Sequence, residues 1–323
     1  MHTIAGKTAQ KDTEAAAILA LMRVPGVGRV AVRQVVHAAR VAGMPIAALL
    51  GMSRRKAAGV VPVGFDRVPE VLARCGRAHV ARAEQLLRDL TASGIMVLCL
   101  SHQAYPESLS RSLGKAAPPL LFISGNPALL EEPAAAVVGA RLASQRGLAL
   151  AGHCARTFSE AGVPVVSGGA AGVDTSAHAG AVESGGKTVV VLPQGILTYR
   201  PLAFIERAIA AGRASVVSEF LPDAAWETHA AVTRNATISA LARMVCVIEP
   251  RKVGGSMCTA RCAFEQGKRV VAYCPDRGGL ARRHLRHAGA LDLVGDSGRL
   301  NAGRLLELWR SASDPWAAQG ELL

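Results

Sequence analysis

Val165-Val166-Ser167-Gly168-Gly169-Ala170-Ala171-Gly172-Val173-Asp174-Thr175-Ser176-Ala177-His178 reads as a buried strand that runs through a glycine turn directly into a helix. Gly168, Gly169 and Gly172 carry no Cβ, so the backbone can turn sharply there. Its N–H groups can then approach an anion at the positive end of the following helix. The motif announces a phosphate or another anion and leaves the chemistry open.

Two neighbouring patterns fail on inspection. A dinucleotide fingerprint needs Gly-x-Gly-x-x-Gly and an acidic residue at the end of the next strand. Here the spacing is Gly-Gly-x-x-Gly, and the strand over 188–192 ends in Pro193-Gln194. The stretch from Ala181 to Thr188, ending Gly185-Gly186-Lys187-Thr188, resembles a relaxed P-loop. It follows a helix and leads into Val189-Val190-Val191-Leu192, the reverse of P-loop order, so its glycines read as a helix C-cap and loop.

The chain has 323 residues, half of them hydrophobic, enough for one sizeable α/β domain and a smaller one. Its net charge of +13 is uneven: residues 1–115 hold 16 basic and 7 acidic side chains, residues 116–323 hold 21 and 17. Such a balance favours a polyanionic partner. The start, residues 1–7, is polar, and no apolar run approaches the roughly 20 residues of a membrane span, so a cytoplasmic protein that does not engage a membrane is expected. Among the seven cysteines, Cys99, Cys246 and Cys274 fall in apolar strand-like runs. Cys258 and Cys262 are four apart but lack a second ligand pair at zinc spacing, so no metal or other cofactor is expected.

From residue 14 to about 90 apolar residues recur at helical spacing. Between the first two helices lies Val24-Pro25-Gly26-Val27-Gly28-Arg29, the pattern of a helix-hairpin-helix, in which Gly26 and Gly28 let backbone amides meet a nucleic-acid phosphate without reading bases. An ordinary αα-corner reads the same way. Arg29 and Arg33, expected on the exposed start of the second helix, favour the binding reading. After residue 95 short apolar runs alternate with helices, and strands are expected over 95–100, 120–123, 135–138, 163–167, 188–192, 214–218, 244–248 and 270–273. That alternation means a Rossmann-like, mainly parallel sheet with helices on both faces, preceded by a small helical (helix-hairpin-helix, SAM-like) domain. Ligands of such sheets collect beyond the carboxyl ends of the strands. Gly139-Ala140-Arg141, Ser167-Gly168-Gly169, Pro193-Gln194-Gly195 and Gly254-Gly255-Ser256 all fall there.

Tyr105-Pro106-Glu107-Ser108-Leu109, Pro118-Pro119-Leu120-Leu121-Phe122, Val137-Val138-Gly139-Ala140-Arg141, the loop from Ser167 to Asp174 with His178, Ser218-Glu219, Arg234-Asn235 and Gly255-Ser256-Met257-Cys258-Thr259-Ala260 follow one another in order. Together they resemble successive blocks of the DNA-processing protein A (DprA/Smf) family over roughly residues 15–295, and ordered agreement of this kind is more specific than any single motif. The resemblance implies a Rossmann-like core binding single-stranded DNA during natural transformation, a helical N-terminal module, a homodimer, handover of DNA to a RecA-type recombinase, and no catalytic reaction. It assigns Arg141 to the DNA-binding pocket, with Ser167, Gly168 and Gly169 beside it, and matches Arg234 to the first arginine of an Arg-Asn-Arg block. The family's aromatic-Pro-x-Arg-Asn-Arg pattern is here Ala231-Val232-Thr233-Arg234-Asn235-Ala236, without the aromatic and the second arginine, and its Tyr-Pro-x-x-Asn block becomes Tyr199-Arg200-Pro201-Leu202-Ala203. Base stacking contributes about 1–3 kcal/mol per base, so this departure points to a specialised paralogue with weaker binding or another ligand.

The expected organisation is a helical domain over 1–90, a DNA-binding domain over 91–298 and a C-terminal helix and tail over 299–323, too short for a winged helix. The expected phosphate-binding set is Gly139, Arg141, Ser167, Gly168, Gly169, Gly172, Arg234, Asn235, Gly255 and Ser256, with Asp174 as a helix N-cap and His178 as a structural histidine. The cluster Arg282-Arg283-His284-Leu285-Arg286-His287 reads equally as a solvated face or an extension of a DNA track. Two rivals stand beside DNA binding: a nucleotide-sensing module in the same crevice, and a phosphoribohydrolase-like enzyme, whose Pro-Gly-Gly-x-Gly-Thr-x-x-Glu motif is loosely matched from Val253 to Glu265, with the carboxylate displaced by a helical turn.

Overall fold

A computed structural model of the chain describes residues 13–276, 278–295 and 298–312. The polar start over residues 1–7 and the tail after residue 312 lie outside the described residues. The described residues divide into two compact units, 13–105 with 115–123, and 106–114 with 124–312.

In the first unit helix α1 (residues 13–22) is buried on every side from Ala15 to Leu21, as befits a segment apolar all round rather than along one stripe. It stops at Val24-Pro25, and α2 (Arg29–Val41) buries Val32, Val35, Ala38 and Ala39 at helical spacing. Shorter helices follow: α3 (Ile46–Leu49), α4 (Arg54–Ala58), whose N-cap Ser53 accepts from the Lys56 amide, and α5 (Val68–Ala73), with proline in its first turn. Helix α6 (Arg77–Ala92) then leads into strand β1 (Ile95–Cys99), which neighbours β2 (Leu120–Gly125).

The second unit holds α7 (Glu107–Leu113), β3 (Ala134–Gly139), α8 (Gln145–Glu160), β4 (Val165–Ser167), α9 (Val173–Glu183), β5 (Thr188–Leu192), α10 (Ala203–Ala210), β6 (Ala214–Ser218), α11 (Thr228–Ala240), β7 (Ala242–Ile248), α12 (Gly255–Glu265), β8 (Arg269–Tyr273), α13 (Leu280–His287), β9 (Leu291–Asp292) and α14 (Ala302–Arg310). Its strands lie in the order β6-β5-β4-β3-β7-β8-β9, each paired parallel to its neighbours. The continuous apolar character of these strands has a direct cause. Ala135, Val137, Val165, Met244, Cys246 and Val271 pack against α8, α9 and α14, while the alternate residues Ala136, Val138, Val245 and Val247 are buried too, with α11 and α12 against β5, β7 and β8.

The eight expected strands stand within two residues of their positions. The fourth begins later because Pro164, with no N–H of its own, contributes only its carbonyl, to the Ala135 amide. The two-residue β9 gives no period for sequence reading to detect. Chain order reverses between β3, which runs on to β4, and its other neighbour β7. This is the topological switch point, where sheets of this kind open a crevice beyond their strand ends.

Candidate functional site

Gly139 and Ile248 face each other across that switch point. A Cβ on Gly139 would lie 2.2 Å from the Ile248 carbonyl oxygen and 2.7 Å from a Val173 methyl carbon, so no larger residue fits. Two residues on, Arg141 leaves the sheet with its side chain exposed, its guanidinium carbon 5.9 Å from the centre of the Trp226 ring. Trp226 is 46% exposed.

The glycines of the loop after β4 turn out to serve close packing. Gly172 has φ +83, and a Cβ there would meet the carbonyl oxygens of Arg141 and Ala140 at 2.3 and 2.5 Å. One on Gly168 would lie 2.7 Å from both Arg234 Nη1 and Asp174 Oδ2. Ser167 is fully buried and its hydroxyl donates to the Val137 carbonyl at 2.6 Å, so it braces the strand ends. Several loop amides are engaged internally, with Val173 N–H bonded to the Ala140 carbonyl and Ala170 N–H donating to Asp174 Oδ2 at 3.3 Å. The loop's exposed rim is Gly169 and Ala171.

Arg234 and Asp174 differ from expectation. Gly172 occupies the N-cap of α9 and Asp174 lies in its first turn, reaching back into the loop instead of capping the helix's own amides. Arg234 is 6% exposed, and its Nη1 donates to the carbonyls of Gly168 and Val191, which fastens the loop to the end of β5. Burial lowers its guanidinium below the ordinary arginine value, Asp174 and Glu219 oppose that shift, and nearby Arg141 adds to it. Burial likewise raises the Asp174 carboxyl, against the pull of Arg234. Asn235, also buried, donates to the Gly255 carbonyl at 3.2 Å and ties α11 to the start of α12. A guanidinium enclosed with carboxylates and committed to two carbonyls positions the loop, while the charge turned to solvent is that of Arg141.

Three helices begin around this loop system, and their N-termini are not equivalent. At α8 the Glu249 carboxylate accepts from the Ser144 amide and hydroxyl at 2.8 and 2.5 Å, so a side chain of the protein already holds that end. Glu249 does this from φ +50, a strained conformation for a residue with a side chain and one that no sequence signal marked. Asp174 lies in the first turn of α9. Helix α12 starts at Gly254 with no side-chain cap and no acidic residue in its first turn, next to exposed Arg251 and Lys252, with Gly255 exposed and Ser256 half-buried. Exposed positive charge thus lies on Arg141 and on Arg251 and Lys252 before the uncapped α12.

Elsewhere, Lys187 pairs with Glu132 at 2.7 Å after α9 has ended, away from any phosphate loop. Glu265 ends α12 and is exposed, ten residues from Gly255 and so about 15 Å along the axis. Cys258 and Cys262 share α12, and burial pushes the Cys262 thiol up to about 12, which keeps it protonated. Among the described residues no group of three metal-ligating side chains gathers. Arg282 and Arg286 of the basic cluster pair with Asp292 at 2.8 and 3.9 Å, while Arg283 and His287 are exposed. His178 is buried against Thr188, 2.7 Å from its hydroxyl.

In the first unit Gly26 takes φ +73, and the Arg74 guanidinium donates to the Pro25 carbonyl beside it. Gly28, the N-cap of α2, has open space around it and leaves the helix start accessible. Arg29 is half-buried. Arg33 is not on an exposed binding face: it is partly buried and donates to the Ala117 carbonyl at 2.8 Å, and burial lowers its guanidinium below the ordinary value.

A parallel sheet with glycine-tight strand ends at its switch point defines a Rossmann-like protein, a class whose ligands collect beyond those strand ends. The model of the DNA recombination-mediator protein A family matches residues 96–293, more than half of the chain, which therefore belongs to that family. It is 36% identical over 169 residues to the DNA processing protein DprA of Streptococcus pneumoniae (52% of this chain, 59% of that protein). It is 35% identical over 157 residues to protein Smf of Escherichia coli (48% and 42%). The chain thus spans about half the length of these curated relatives. The crystal structure of the Streptococcus pneumoniae DprA superposes with a TM-score of 0.65 at 26% identity, covering 86% of this chain and 94% of that one. The solved structure of DNA processing protein A from Helicobacter pylori, reported for its single-stranded DNA binding mode, shares the fold at TM-score 0.57 and 22% identity, over 68% and 98%.

Proposed function

We propose that the protein binds single-stranded DNA through the sugar-phosphate backbone in the crevice beyond β3 and β7, as a homodimeric DNA-processing factor in the cytoplasm that passes DNA to a RecA-type recombinase. In this reading residues 91–298 form the DNA-binding domain, and the hairpin at Gly26, Gly28 and Arg29, within residues 1–90, adds sequence-independent phosphate contacts. The observation that carries it is the sorting of charge around one loop. Asp174, Glu219 and Arg234 are buried, whereas Arg141 is exposed just after β3, and Arg251 and Lys252 are exposed just before the uncapped start of α12. The reported binding mode of the Helicobacter pylori relative supports the choice of ligand. No helix among the described residues is long and apolar enough to cross a membrane. The direct test is retention of a poly-dT oligonucleotide at low salt, and a protein that retains none does not act this way.

The phosphoribohydrolase alternative needs a carboxylate within hydrogen-bond reach of the reacting ribose carbon or its water. Glu265 stands at the far end of α12, and Asp174 is enclosed with Arg234. Incubation with adenosine or cytidine monophosphate is therefore expected to release no free base on chromatographic separation. Steady release that disappears in Glu265→Gln would replace DNA binding with hydrolysis as the function.

A further inference from the structure

The chain carries Ala231, not an aromatic residue, three positions before Arg234. The fold brings one to the crevice by another route. Trp226 sits in the segment between β6 and α11, two residues before α11 begins, and meets Arg141, the exposed residue that follows β3. The backbone of Arg141 packs against Gly172 of the signature loop, and its charge is felt by Arg234 beneath Gly168, so the indole stands at the rim of that same loop system. Trp226 is itself 46% exposed, and Leu142, next in the chain to its partner Arg141, is 83% exposed. Trp309, by contrast, packs against the core and donates its indole N–H to the Ala134 carbonyl.

We propose that the Trp226 indole is a stacking surface for one nucleobase of bound single-stranded DNA, with Arg141 held against the ring and available to the adjacent phosphate. The inference rests on the DNA-binding reading and adds to it a contact with a base, where the glycine loops and the exposed cations offer contacts only to the backbone. Tryptophan next to arginine suits this task physically. A guanidinium over one face leaves the other face of the ring for a base, and stacking tolerates any sequence because every base has a π-face. The consequence is a preference for strands that carry bases over the same backbone without them, set by one side chain.

The test compares binding of the full-length protein to an oligo-dT strand and to an abasic strand of equal length and charge, for wild type, Trp226→Phe and Trp226→Ala. Trp226 is a surface residue, and equal melting temperatures for the three proteins establish that folding is not the variable. Wild type is expected to favour the base-bearing strand by about 5- to 150-fold, the range for a single stacked base. Trp226→Phe should keep most of that preference and Trp226→Ala should abolish it, so that the two strands bind alike. Quenching of tryptophan emission by oligo-dT in wild type, lost in Trp226→Phe, reads the same contact spectroscopically. A Trp226→Ala protein that keeps the full preference, or one that weakens on both strands equally because Arg141 has lost its support, overturns the stacking surface. If wild type binds neither strand, DNA binding itself fails, and the stacking surface falls with it.

Discussion

Replacing Arg234 by alanine is expected to destabilise the second unit by about 3–5 kcal/mol, the cost of removing one partner from a buried charge network. The guanidinium is 6% exposed and holds the Gly168 and Val191 carbonyls, and its charge offsets those of Asp174 and Glu219. Without it two carbonyls lose their donor and two carboxyl groups lose their counter-charge, both in the interior. Thr237, whose hydroxyl donates to Glu219 at 2.8 Å, cannot make up that charge. Urea unfolding of Arg234→Ala against wild type measures the effect. A variant as stable as wild type that only binds DNA poorly would make Arg234 a ligand contact instead of a brace.

Acid is expected to weaken the fold through His178, with an effect on the order of 5 kcal/mol between neutral pH and about pH 3. Thr188 donates its hydroxyl proton to the Val165 carbonyl at 2.9 Å, so its oxygen accepts from the imidazole, which fixes the neutral tautomer with the proton on Nδ1. Nε2 is left buried without a partner. Burial, with the nearby Arg234 charge second, holds the imidazole down at about 3 against an ordinary 6.5. Because the folded value is depressed, this contribution is fully present above 6.5 and is lost as the pH falls from there toward 3, where the unfolded chain takes up a proton that the folded one refuses. Asp174 acts in the opposite sense, since its raised carboxyl takes up a proton in the folded state before it would in the unfolded chain. The difference between wild type and His178→Asn, which keeps a donor toward Thr188, isolates the histidine. The stability lost on going from about pH 7.5 to about pH 5 should be smaller in the variant, and a difference between the two proteins that is independent of pH would contradict the assignment.

The strands and the glycine-tight turns were legible because each rests on a local signal. A run such as Thr188-Val189-Val190-Val191-Leu192 is apolar at nearly every position only when both faces are covered, and Gly139 and Gly168 at strand ends and Gly172 at the start of α9 stand where the chain packs too closely for a Cβ. What escaped depends on contacts between distant segments. An arginine on a helix reads as surface, yet Arg234 is enclosed by a loop 66 residues away, and Arg33 is committed to a carbonyl 84 residues on. A serine at the end of β4 reads as a ligand contact until its hydroxyl is seen to point at Val137. The Glu249 cap on α8 spans 105 residues, and Trp226 reaches Arg141 through the turn of a segment without regular structure. The residue types at the site were visible in the sequence, but their division into braces and exposed contacts came from the fold.

Whether exposed cations at the switch point hold a DNA backbone is decided by titrating salt against oligo-dT affinity for wild type and Arg141→Ala. Each phosphate neutralised contributes a slope of about −0.7 to log affinity against log salt, so wild type should show a linear decline. Arg141→Ala should bind more weakly at low salt, with a slope shallower by about 0.7 for each phosphate that the guanidinium neutralises in wild type. An affinity that does not respond to salt, or an Arg141→Ala protein whose line overlays that of wild type, would contradict the account.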